Sequence, residues 1–127
     1  MARETILYIS DRETFTGLIF AALEATGYKV VSTQSSTEAM AMEYIMHSVV
    51  AVVLHHQTGE QSSLDAAKGL RAFCPNVPII LLCRDELDRL PSYVDACVCT
   101  GQSLEKVSSE VLSLLSAKKL LVHTAQC

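Results

Sequence analysis

Val49-Val50-Ala51-Val52-Val53-Leu54, followed at once by His55-His56, is the stretch that decides the fold. Six successive apolar residues, four of them valine, are too few to span a bilayer and too β-branched to favour a helix. Polar and apolar positions do not alternate, so both faces of the strand should be covered, as in the middle of a parallel sheet. Function in such sheets collects at the carboxyl ends of the strands. That end is His55.

Downstream, Ile79-Ile80-Leu81-Leu82-Cys83 is a second wholly apolar run and predicts another central strand. Between the two lie the polar loop Gln57–Ser63 and a helix from Leu64 to Phe73, with Leu64, Ala67, Leu70 and either Phe73 or Cys74 facing inward. Upstream, Ile6-Leu7-Tyr8-Ile9 reads as a strand turning at Ser10-Asp11. Asp11 or Thr14 caps the helix that follows, and Gly27 ends it. Tyr28–Thr33 is a less apolar strand, expected at an edge, and a helix capped near Ser35–Thr37 runs to about His47. Residues 84–93 leave room only for a short helix interrupted by Pro91, and Ala96-Cys97-Val98-Cys99 forms a fifth strand. Ser103 caps a last helix whose inward positions are Leu104, Val107, Val111, Leu114 and Leu115.

Strands alternating with helices give an α/β fold, a single doubly wound parallel sheet of five strands with helices on both faces. Residues 1–118 form the domain, and residues 119–127 a tail that extends the last helix. With 127 residues, half of them hydrophobic, the chain can bury a core without staples. The net charge of −4 and the lack of any basic stripe argue against nucleic acid. No run reaches the length of a membrane span and no signal peptide is legible, so a cytoplasmic location is expected. Five cysteines, Cys74, Cys83, Cys97, Cys99 and Cys127, are read as reduced thiols.

The succession Ile6-Leu7-Tyr8-Ile9-Ser10-Asp11, the Gly27-Tyr28 helix exit, Ser36-Thr37-Glu38-Ala39-Met40, the valine strand and Asn76-Val77-Pro78-Ile79-Ile80-Leu81-Leu82 resembles the receiver domain of bacterial response regulators. The resemblance runs from Ile6 to about Lys118. It implies the strand order 2-1-3-4-5, which gathers the first, third, fourth and fifth strand ends at one crevice. It also implies two-component phosphorelay signalling, in which an aspartate after the third strand takes a phosphoryl group from a histidine kinase. That chemistry needs acidic ligands for Mg²⁺, a hydroxyl and a lysine around the acceptor to neutralise developing charge.

The resemblance places different residues at those positions. The acceptor position falls on His55, and the acidic pair becomes Ser10-Asp11. The hydroxyl and lysine positions carry Cys83 and Thr100, and the aromatic switch position carries Cys97. Asp11 alone is retained, a poor Mg²⁺ site by itself. The expectation is therefore a stand-alone degenerate receiver, neither an enzyme nor a cofactor binder. It would bind a protein partner through the shortened fourth helix, the fifth strand and the last helix, with a homodimer as the alternative occupant of that face.

Two other readings use the same crevice. One is a small-ligand or metal sensor: His55, His56, Cys83, Cys97 and Cys99 offer imidazole and thiolate ligands suited to zinc or copper. Alternation turns His55 and His56 to opposite faces, and Cys97-x-Cys99 lacks the two-residue gap of zinc knuckles, so no metal is expected. The other is a receiver that still takes a phosphoryl group by unusual chemistry, with His55 as nucleophile.

Overall fold

The computed structural model describes residues 5–9, 21–25, 27–33, 48–56, 61–83, 89, 91–100 and 103–122, with the backbone alone at 56, 61–63, 104 and 116–122. Five strands, β1 (Thr5–Ile9), β2 (Lys29–Thr33), β3 (Val49–His56), β4 (Ile79–Cys83) and β5 (Ala96–Cys99), make one sheet in the order β2-β1-β3-β4-β5. Every neighbouring pair is parallel. The order follows from hydropathy: β1, β3 and β4 are the most apolar strands and take the middle, while β2 and β5 take the edges. Helices α1 (Gln61–Phe73) and α2 (Leu104–Val122) cover opposite faces, with a further helical turn at residues 21–24.

Two apolar clusters sandwich the sheet. Leu7, Ile9, Val52, Leu54, Leu81 and Cys83 meet Ala67 and Leu70 of α1 on one face. Ile6, Tyr8, Ala51, Val53, Ile80 and Leu82 meet Leu23 and Val107, Val111 and Leu115 of α2 on the other. The valine run does not alternate cleanly because the β1–β3 register slips: Thr5 pairs with Val49, but Ile6 pairs with Ala51. Val50 is the extra residue of a bulge and is the one half-buried member of the run up to Leu54. Val49 consequently joins Val52 and Leu54 on the α1 face.

Local signals behave as the chemistry predicts. Gly27 takes a φ of 97°, the left-handed conformation that costs glycine nothing, and its N–H donates to Glu24 O at 3.0 Å. Ser103 Oγ accepts from Lys106 N at 3.3 Å as an N-cap.

Several boundaries differ by a residue or more, with β1 starting at Thr5 and β2 at Lys29. The third strand continues to His56, one residue past the end read at His55, because pairing with β4 is made by the backbone and does not require apolar side chains. Helix α1 starts at Gln61, inside the stretch read as loop. A first helical turn leaves its N–H groups without intrahelical partners and suits polar residues such as Gln61, Ser62 and Ser63, so it carries no apolar stripe. At the other end Cys74, 2% exposed, turns inward, and Phe73 is 46% exposed. The expected caps at Asp11 and Thr14, the helix near residues 35–47, residues 84–88 and 90 of the shortened fourth helix and most of the tail lie outside the described residues, and residues 91–93 are not helical. Helix α2 runs on to Val122.

Candidate functional site

The register fixes what meets at the carboxyl end of the sheet. His55 is the Cα partner of Leu82, and His56 the partner of Cys83. On the next strand Leu81 pairs with Cys97, Leu82 with Val98 and Cys83 with Cys99. Leu82 and Val98 belong to the α2 face, Cys83 and Cys97 to the α1 face. His55 therefore stands in register with the α2-face row, and position 56 is the one aligned with Cys83. Of the crevice expected from sequence, Cys83, Cys97 and Thr100 come together, His55 sits half-buried in the adjoining row, and Ser10 and Asp11 lie outside the described residues.

Cys83 is the centre of the group. It is fully buried, and Cys97 Sγ lies 2.8 Å from its Sγ in the position of a hydrogen-bond donor. Thr100 N donates to Cys83 O at 2.6 Å, so the turn after β5 is tied by its backbone to the end of β4. Cys97, Cys99 and Thr100 are partly exposed. Cys83, Cys97 and Cys99 are not in disulfides, whereas Cys74 is disulfide-bonded; the reading of all five as reduced thiols is corrected there. Among the described residues, no group of three or more His, Cys, Asp or Glu is arranged to hold a metal ion.

The hydrogen bond with Cys97, burial, and the charges that Cys97 and Cys99 would carry all raise the Cys83 thiol far above its ordinary 9.0. The folded state keeps this proton where the unfolded chain releases it. Stability should therefore be undiminished below pH 9 and fall above it, by up to about 1.4 kcal/mol per pH unit from this group. Denaturant titrations of reduced protein from pH 8 to 10.5, with Cys83→Ser as reference, should show the steeper decline in the wild type alone.

Sequence reasoning missed a second cluster, at the amino end of β4 and β5. Asp95 Oδ2 accepts from Ile79 N at 2.7 Å and pairs with Arg71 Nη2. Arg71 also donates to Tyr93 O at 3.2 Å, Pro75 O at 2.9 Å and Val77 O at 3.0 Å. One guanidinium thus joins the end of α1, the turn into β4 and the approach to β5. The available signal was a basic residue in the last turn of a helix, where a cation also suits the dipole. Its partner lies too far along the chain to be found by spacing. This cluster braces the sheet at the end away from the thiols.

Among the described residues no helix is long and apolar enough to cross a membrane. No protein-family model matches the chain, and no curated protein matches it. Solved structures do. A response regulator receiver domain protein from Clostridium thermocellum is similar with a TM-score of 0.72 and 22% identity, over 93% of this chain and 98% of that one. A response regulator from Thermotoga maritima gives 0.73 and 15%, over 91% and 99%. The chemotaxis protein CheY4 of Vibrio cholerae gives 0.73 and 14%, over 90% and 99%. Identities this low speak for architecture, and they agree with the strand order and the two helix-covered faces: the chain has the fold of a response regulator receiver domain.

Proposed function

We propose that this chain is a degenerate receiver domain, acting in signal transduction as a protein-interaction module without a phosphorylation switch. The observation that carries the reading is Cys83. The position that resembles the family's hydroxyl holds a fully buried thiol, packed against Cys97. A phosphoryl oxygen needs fixed donors and cations at the carboxyl edge. Thr100, at the lysine position, brings no cation, and its backbone N–H is already engaged by Cys83 O. The recognition surface on this reading is the edge strand β5 with α2, and its occupant is another protein, a second copy of the chain being the alternative that sedimentation separates.

The test is a thermal melt with Mg²⁺ and beryllofluoride. A ligand at a hundred times its Kd stabilises the native state by about 2.7 kcal/mol, a displacement of several degrees. The degenerate receiver should melt at the same temperature with and without the mixture, and should take no label from a small phosphodonor. A clear upward displacement, or an incorporated phosphoryl group, overturns the proposal.

A further inference from the structure

Cys83 and Cys97 sit on adjacent strands, two residues off direct register, on the face covered by α1. Their sulfurs are 2.8 Å apart, roughly 0.8 Å longer than a disulfide bond. The core around them is closely packed: Leu81, Leu54 and Val94 belong to the same cluster and are buried. Backbone bonds hold both strands, with Asp95 N on Ile79 O at 2.9 Å at one end and Thr100 N on Cys83 O at the other. Two thiols held this near by a hydrogen-bonded sheet need close only about 0.8 Å to become bonded. Cys97 is partly exposed and Cys83 is not, so a reagent in solution reaches one member of the pair first.

We infer that Cys83 and Cys97 are a redox modification site, a dithiol that closes to a cross-strand disulfide between β4 and β5. The co-reactant is a low-molecular-weight disulfide of the glutathione type. Cys97 Sγ, as thiolate, attacks one sulfur of that disulfide and expels one thiolate, leaving Cys97 in a mixed disulfide. Cys83 then loses its proton to solvent and attacks the Cys97 sulfur, and the second small thiol departs. The protein gives up two electrons and two protons, and one small disulfide becomes two small thiols. The burial that holds the Cys83 proton makes the second step the slow one and confines it to a nucleophile already in contact. The bond would lock the edge strand β5 to the sheet. This inference concerns the thiols alone and stands whether or not the fold still accepts a phosphoryl group.

The experiment equilibrates the full chain with graded ratios of oxidised to reduced glutathione, traps free thiols by alkylation, and maps the peptides. Trypsin separates residues 72–84, with Cys74 and Cys83, from residues 90–106, with Cys97 and Cys99. The expected product joins these two peptides, together with the peptide that the Cys74 disulfide carries, and fragment ions place the new bond at Cys83 and Cys97. Cys99→Ser should form it to the wild-type extent, and Cys97→Ser should lose it. Full alkylation of wild-type Cys83 and Cys97 at every ratio, arrest at a mixed disulfide on Cys97, or a bond located at Cys99 each overturns the inference. The wild-type map alone decides it if a variant fails to fold.

Discussion

Leu81→Ala should cost about 3–4 kcal/mol of stability and lower Tm by roughly 10–15 °C. Leu81 is fully buried in β4, between β3 and β5, and belongs to the cluster under α1. Neighbours on both adjoining strands are held in register, so the space left by the side chain cannot close by a strand moving inward. The loss therefore combines the transfer of the removed atoms with an unfilled cavity. Phe73→Ala is the matched comparison. Its ring is larger but 46% exposed, so its loss should be well under half as great. Urea unfolding of the two variants checks both numbers. Equal losses would mean that Phe73, rather than Cys74, is the inward residue at the end of α1.

The second large effect belongs to Asp95. Replacing it by alanine removes the acceptor for Ile79 N, a group at a site 1% exposed, and strands the Arg71 guanidinium among backbone carbonyls. A buried donor left without a partner costs about 1–3 kcal/mol, and the ion pair, being partly exposed, adds about 1 kcal/mol or less. Asp95→Ala should lose about 2–4 kcal/mol. Asp95→Asn, which keeps a carbonyl oxygen for Ile79, should lose about half of that or less. A double-mutant cycle with Arg71→Ala, followed by denaturant unfolding, should show strongly non-additive losses, because both residues brace one junction. If asparagine is as harmful as alanine, the charge rather than the acceptor is what the junction uses.

These two residues mark the limit of what could be read from the chain. The architecture was legible because continuous apolar runs at Val49–Leu54 and Ile79–Cys83 admit few explanations other than strands covered on both faces. Gly27 and Ser103 were legible because their roles depend on their immediate neighbours: a left-handed residue past a helix, and a hydroxyl three residues before an N–H. The extension of β3 past His55 to His56 was hidden, since hydropathy reports side chains while a strand is paired through its backbone. The choice between Phe73 and Cys74 was left open because adjacent helix positions differ by only 100° and the helix ends there. Arg71 with Asp95 was invisible as a pair, and Cys83 with Cys97 was legible only as shared membership of one crevice, not as a contact. Each depends on strand register, and the bulge at Val50 illustrates how one residue changes which side chains share a face.

The parallel sheet also has a kinetic consequence. With β1 paired to β3 from Thr5 and Val49, no two neighbouring strands among the described residues can form a hairpin, and each pairing waits on a crossover of a dozen or more residues. Loop closure must be completed before the central strands gain anything from their burial, so refolding should be slower than that of a helical bundle of equal length. The Thr5–Ser48 contacts, a backbone bond of 3.0 Å and a hydroxyl pair at 2.9 Å, tie the first strand to the residue that launches the third. The valine strand, flanked by β1 and β4, should then be the template on which the nucleus assembles, with the edge strands β2 and β5 joining last.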